Sequence, residues 1–268
     1  MATSRSAPPL PAYVLHAWDW SESSLILDLF TRTQGRVVAV AKGAKKPTSN
    51  FRPLLLPFHA LAVWLPRPGG DDEEVRAVRA VEWSGSAALP SAVLMSGFYL
   101  NELLMKGLAR QDAHPALFDA YADTLAALAA PGLVAADETA ALRAFELALL
   151  RELGLLPELD TVTLTTSPVD PVAPYLLQGE LGLAPAAGGI EGRAWVALEA
   201  ALAHRDEGTV TGHGFGGGIA ALRAACRPLA AALRAPLRQV LHYHLGVAQL
   251  RTRQVGLELQ RLADPTPR

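Results

Sequence analysis

Apolar and polar positions between Tyr13 and Leu65 fall into short aliphatic runs separated by turn-forming residues. Leu25 to Phe30 and Val37 to Ala41 are rich in aliphatic, often β-branched residues, and Thr31 to Gly35 supplies a turn between them. Tyr13 to Trp18 precedes this pair, and Ala60 to Leu65 follows with the same character. Pro66, Pro68, Gly69 and Gly70 then mark a loop. Val75 to Glu82 stays ambiguous, because its valines recur every third residue and suit a helix as well as a strand. Four or five short strands with turns between them predict a small closed or partly open barrel, since closure removes unpaired strand edges.

Beyond residue 90 the period changes from two to about 3.6. Leu94, Phe98, Leu100, Leu103, Leu104 and Leu108 predict a helix that is apolar nearly all round. Leu117, Tyr121, Leu125 and Leu128 predict a second helix over Pro115 to Leu128, with proline near its first position and Pro131-Gly132 after its end. Thr139 to Leu153 predicts a third, central one carrying Leu142, Phe145, Leu149 and Leu153 on one stripe. Leu237 to Leu262 reads as a further helix or helix pair. Asn101, Glu102, Arg143 and Glu146 lie on these apolar helices, so they need partners if buried. In Leu156 to Gly192, Thr161 to Leu164 and Tyr175 to Leu177 resemble two hairpin strands. The pattern is that of an α+β multidomain protein.

Charge changes this picture more than bulk composition does. The chain of 268 residues has a formal charge of −2, yet residues 32–52 hold six basic side chains and no acidic one. Lys42, Lys45 and Lys46 are three of only four lysines in the protein. Residues 1–60 balance at +4, residues 61–233 at −10 and residues 234–268 at +4. Two basic ends flanking an acidic middle make two candidate polyanion surfaces. A phosphate backbone would bind the first by releasing condensed counterions; an ordinary solvated basic loop is the other reading. Phe51, Phe58 and Trp64 nearby either stack on bases or pack into the core.

Few other chemistries fit. No stretch reads as a membrane span, and Leu54 to Leu65, the most apolar, is short and broken by Pro57 and His59. The N-terminal residues lack the apolar core of a secretory signal, and the lone Cys226 fits a reducing cytoplasm. Gly212 to Gly218 has neither the flanking strand nor the lysine of a phosphate cradle. Paired carboxylates on a strand scaffold, G-x-S-x-G and a Ser/His/Asp arrangement are all missing, so no enzyme and no cofactor is expected. Cys226, His204, His213, His242 and His244 have no metal-ligand spacing.

The stretch V-L-H-x-x-x-W-S-E-S-S-L-I-L-D-L-F-T-R-T-x-G-R-V-x-x-V-A-K-G-A-K-K at Val14 to Lys46, with L-L-P-F at Leu55 to Phe58, resembles the bacterial recombination mediator family RecO. G-F-Y-L-N-E-L-L at Gly97 to Leu104 and L-R-A-F-E-L-A-L-L-R-E-L-G at Leu142 to Gly154 agree with it. The resemblance is dense over the first sixty residues and these helices, and thin from Leu156 to about Pro236. It implies an OB-fold over residues 1–85 and a helical domain over 86–268. It also implies an inserted zinc-ribbon-like segment at 156–192, which here has no Cys or His and is expected to be a metal-free remnant.

The resemblance further implies a non-enzymatic DNA repair protein, cytoplasmic and associated with the bacterial nucleoid. Such a protein binds single- and double-stranded DNA, anneals complementary strands, and with RecR helps load RecA onto DNA coated by single-strand-binding protein. On this reading Arg32, Arg36, Lys42, Lys45, Lys46 and Arg52 hold DNA, and Arg251 and Arg253 add a second surface. Arg143 either receives the acidic C-terminal tail of single-strand-binding protein or is purely structural. The rival reading is an OB-type protein adaptor whose basic loop is incidental.

Overall fold

The computed structural model describes residues 8–66, 75–86, 88–203, 218–246, 250–252, 254–255 and 258. They form two compact units, one of Met1–Leu89 with Leu108–Phe118 and one of Pro90–Gly107 with Asp119–Arg268.

The first unit is built on β1 (Leu10–Asp19), β2 (Leu25–Thr31), β3 (Gly35–Ala41), β4 (His59–Trp64), β5 (Val75–Ala77) and β6 (Ala80–Ser86). β1, β2 and β3 form an antiparallel meander, and β4 pairs with the other side of β1. β5 runs parallel to β3, whereas β6 runs antiparallel to β4. Only Val78 and Arg79 separate these two strands, and their amides point to opposite edges of the sheet. Val78 N–H donates to the Val40 carbonyl at 2.9 Å, and Arg79 N–H to the Trp64 carbonyl at 2.9 Å. One chain segment therefore joins both edges, and the ladder closes into a barrel with the strand order of an OB-fold. This resolves the ambiguous Val75 to Glu82: the crossover between β5 and β6 resets the alternation, so that Val78 and Val81 both reach the core.

Alternate residues fill the barrel, with Val14, Leu27, Leu29, Val37, Ala39, Leu61 and Val63 nearly or wholly buried. The register shifts between Val14 and His16, so Leu15 is the extra residue of a bulge. Part of the outer face is also apolar and is covered by Leu108–Phe118. The Phe118 ring lies 5.3 Å from the rings of both Tyr13 and Phe30. Gln111 N–H donates to the Arg36 carbonyl at 2.9 Å, fixing this segment to the start of β3. Gly35 allows the approach: its φ is +64°, and a Cβ there would stand 1.7 Å from the Asp112 carbonyl oxygen. The expected boundary after residue 85 thus omits a piece that returns to the barrel from later in the chain.

The second unit contains α1 (Leu94–Gly107), α2 (Pro115–Leu128), α3 (Ala135–Glu152), α4 (Gly192–Ala203), α5 (Gly218–Cys226) and α6 (Ala230–Leu245). The first turn of α2 is grouped with the barrel unit. α3 is central: every residue from Ala140 to Leu150 is buried except the partly exposed Leu142. It begins four residues before Thr139, with Val134 at the N-cap and no side-chain cap, while Asp137 and Glu138 complement the first-turn dipole.

A three-stranded sheet of β7 (Pro174–Gln178), β8 (Gly182–Pro185) and β9 (Ile190–Glu191) belongs to the same unit. Trp195 of α4 is fully buried, and its Nε1–H donates to the Tyr175 carbonyl at 3.3 Å. Tyr175 to Leu177 is a strand as expected, but Thr161 to Leu164 is not. That segment makes an isolated bridge, Thr161 to Pro168, around a turn closed by Thr166 N–H on the Val162 carbonyl at 2.8 Å. Thr163 ties the turn to β8 at one point: its N–H donates to the Leu183 carbonyl at 3.0 Å and its hydroxyl oxygen accepts Leu183 N–H at 2.8 Å, so a single backbone bond stands where a ladder was expected. Among the described residues no helix is long and apolar enough to cross a membrane.

Candidate nucleic-acid interface

The basic turn begins where β3 ends. Ala41 and Ala44 are both fully buried against the barrel core, and they bracket Lys42 and Gly43 like two pins. Gly43 takes φ +73°, and Lys46 N–H donates to the Gly43 carbonyl at 3.1 Å, closing the turn. Lys42 and Lys46 are exposed as a result. A second turn, between β1 and β2, braces the first. Lys45 N–H donates to the Ser23 carbonyl at 3.0 Å, and Lys45 Nζ donates to the Ser21 carbonyl at 3.2 Å. Ser21 Oγ in turn accepts Ser24 N–H at 3.2 Å. Lys45 also pairs with Asp19 at 3.1 Å, an exposed contact worth at most about 1 kcal/mol. Arg52 is exposed on the next turn, whose Phe51 carbonyl accepts both Leu54 N–H and Leu55 N–H at 3.0 Å.

Six cations close in sequence do not make one patch. β3 has seven residues, so its two ends lie about 20 Å apart. Arg32 sits at the β2–β3 turn, at the end opposite Lys42, and is only partly exposed. Arg36 is turned to a structural task. Its Nε donates to both Asp28 carboxylate oxygens at 2.9 and 3.0 Å, its Nη2 to Oδ2 at 2.8 Å, and its Nη1 to the Leu108 carbonyl at 3.2 Å. The Asp28 side chain is 1% exposed, so this pair compensates a buried charge and is not offered to a ligand. Arg36 therefore leaves the expected DNA contact set, and Arg32 stands apart from it.

The aromatic expectations also change. Phe58 is buried, and Phe51 packs against the barrel core. Trp64 is partly buried on β4. Three barrel rings are open instead: Trp83 on β6, 59% exposed, and Trp18 and Trp20, 42% and 65% exposed, at and just after the end of β1. The latter two are the ones beside the basic turn. They were legible in principle: W-D-W-S-E-S-S places two large rings in a turn-forming polar stretch where no core needs them.

In the helical unit, Arg143 is buried. Its Nη2 donates to Glu146 Oε1 at 2.5 Å, and Tyr99 Oη donates to the same oxygen at 2.6 Å. Burial pushes the Glu146 carboxyl up against the opposing pull of Arg143. Burial, then the Glu146 charge, holds the Tyr99 phenol well above its ordinary value and pushes the Cys226 thiol up to about 12. The Arg143 Nη2 is thus engaged within the helix core, while its buried Nε has no hydrogen-bond partner. Asn101 Oδ1 accepts the Tyr121 hydroxyl at 2.5 Å. Glu102 caps the segment after α6: its oxygens accept Arg251 N–H at 2.8 Å and Thr252 N–H at 2.9 Å. Arg251 itself is exposed, while Arg253 and Gly212–Gly217 lie outside the described residues. Among the described residues there is no group of three or more His, Cys, Asp or Glu side chains placed to hold a metal ion.

An OB-type barrel with a basic, aromatic rim, followed in the chain by a helical unit, defines a two-part α+β class. Residues 9–84 match the family described as "Recombination protein O N terminal", and residues 92–254 match "Recombination protein O C terminal". The chain belongs to the RecO family. A protein of Variovorax paradoxus (strain S110) named "DNA repair protein RecO" is 49% identical over 98% of this chain and all of its own length. Another so named, from Polaromonas sp. (strain JS666), is 47% identical over the same shares. A third, from Acidovorax ebreus (strain TPSY), is 47% identical over 98% of this chain and all of its own.

Proposed function

We propose that this chain is a DNA repair protein of the recombination-mediator type that works by binding and not by catalysis. The observation that carries the reading is the rim of Lys42, Lys45 and Lys46, raised at one end of an OB-type barrel on a turn braced by the β1–β2 turn, with Arg52 exposed on the turn that follows. Cations presented that way hold successive phosphates without a fixed groove, which suits both single and double strands. Arg251, exposed beyond the Glu102 cap, supplies a second basic point. Two such surfaces on one molecule let it hold two complementary strands while screening their repulsion, so the reading includes strand annealing.

The same reading has the protein act with RecR to help load RecA onto DNA covered by single-strand-binding protein, whose acidic tail docks on the helical unit. Arg143 is a poor candidate for that tail, because it is buried and its Nη2 is already paired with Glu146. The 156–192 segment is read as a metal-free relative of a zinc ribbon, held by buried Val169, Leu177 and Leu183. Metal analysis of purified protein should find no stoichiometric zinc.

Annealing of complementary oligonucleotides, followed with and without RecR and single-strand-binding protein, tests the central claim. Annealing that weakens steeply with salt and needs neither ATP nor metal supports it. Absence of annealing would return the chain to the protein-adaptor reading.

A further inference from the structure

We propose that Trp20, assisted by Trp18, is a nucleobase-stacking platform that makes the basic rim prefer single-stranded over duplex DNA. The inference rests on the DNA-binding reading above and specifies what the site recognises there.

The geometry begins with the strand register. Trp18 pairs with Ile26, and Ile26 with Val40, so these three share one row across β1, β2 and β3. Their neighbours Ala17, Leu25 and Ala41 belong to the barrel core, which places Trp18, Ile26 and Val40 on the outer face. The next row, Asp19, Leu25 and Ala41, runs directly into Lys42. Two strand spacings put the tryptophan end of the row about 10 Å from the chain that becomes the basic turn. The turn holding Trp20 is fastened to that basic turn by Lys45 N–H on the Ser23 carbonyl and Lys45 Nζ on the Ser21 carbonyl. The two turns are therefore held at a fixed spacing.

Trp20 is 65% exposed, the greatest exposure of any aromatic ring described. Trp18, 42% exposed, already meets the His16 ring edge-on at 4.4 Å, so it is the less open of the two. Charge then selects what can approach. Asp19 and Glu22 are exposed on the same turn as Trp20 and disfavour a phosphate there, whereas Lys42 and Lys46 favour one beside it. A single strand satisfies both conditions by laying its backbone along the lysines and turning an uncharged base onto the indole. A duplex cannot, because its base faces are already stacked on one another.

Binding of an oligothymidine of about thirty nucleotides, an abasic strand of the same length and a duplex of the same length separates the outcomes. Trp20→Ala should weaken oligothymidine binding about tenfold, with Trp20→Phe retaining most of the affinity, and leave the abasic strand and the duplex within twofold of wild type. Lys42→Ala with Lys46→Ala should weaken all three. Unchanged oligothymidine binding by Trp20→Ala overturns the proposal and leaves the ring to protein docking. An equal loss on all three ligands also overturns it, since Trp20 would then only shape the turn. If wild-type protein binds none of the three, the DNA reading itself has failed, and the stacking site with it.

Discussion

At one end of the barrel, Arg36 lies against Asp28 through its Nε and Nη2 and donates from Nη1 to the Leu108 carbonyl. At the other, Lys42, Lys46 and Arg52 extend from turns held by backbone bonds, and their charges face solvent. Both ends come from the same basic stretch of sequence. The difference is desolvation: a buried carboxylate demands a partner, and the nearest guanidinium on the adjacent strand is consumed in meeting it. Arg143 repeats the first case in the helical unit, facing the fully buried Glu146. Basic residues in this protein therefore divide by their nearest carboxylate and its burial.

The comparison can be broken most forcefully at its buried side. Arg36→Ala leaves Asp28 without its partner and should cost about 3–5 kcal/mol of stability in urea unfolding. Arg143→Ala should cost a similar amount through Glu146. A variant at either position that unfolds like wild type would show that the pair is not structural. At the exposed side, replacing Lys42, Lys45 and Lys46 together by alanine should leave the melting temperature within a few degrees. It should also lower single-strand affinity roughly tenfold to hundredfold and make the salt slope shallower by about 2. Superimposable salt curves would remove the rim from the interface.

A smaller effect comes from pH. The Cys226 thiol is raised from 9.0 to about 12 in the folded protein, so its contribution is complete below pH 9 and is lost as pH climbs towards 12. Stability should fall in that window, and Cys226→Ala should flatten the fall. Tyr99 is raised for the same reason, and Tyr99→Phe should remove a further part above pH 10. The smallest effect is expected for Arg32→Ala, at the end of β3 away from the lysines, with DNA affinity changed less than about twofold. A loss as large as that of the lysine variant would merge the two ends into one surface.

Much of the fold was legible because local rules and tertiary packing agreed. Alternation marked β1 to β4, and proline at the start with Leu117, Tyr121, Leu125 and Leu128 at helical spacing delimited α2. Where they disagreed, the reading failed for definable reasons. Val134 carries no capping side chain, so the true start of α3 left no signal. The return of Leu108–Phe118 to the barrel depends on Gly35 meeting a residue 77 positions later, a contact no window of sequence contains. Thr163 looked like strand because threonine suits strands, yet its hydroxyl takes the Leu183 N–H that a ladder carbonyl would otherwise accept. For the site, charge density pointed to a turn that is exposed but overcounted its members, and the aromatic residues singled out after β3 are largely buried, whereas Trp18 and Trp20 lie open before β2 and Trp83 on β6.

Chain order alone determined that there would be a β-rich first part, a helical second part, a cluster of cations after the third strand and a 156–192 segment without Cys or His. These follow from periodicity and composition, which are properties of neighbours along the chain. Only the folded structure decided which cations are available to a ligand. Asp28 and Arg36 are eight residues apart in sequence but diagonal neighbours across β2 and β3, and the depth of Asp28 beneath Leu108–Phe118 makes their contact obligatory. Burial and through-space distance set the free energy of a charge, and neither is encoded by position in the chain.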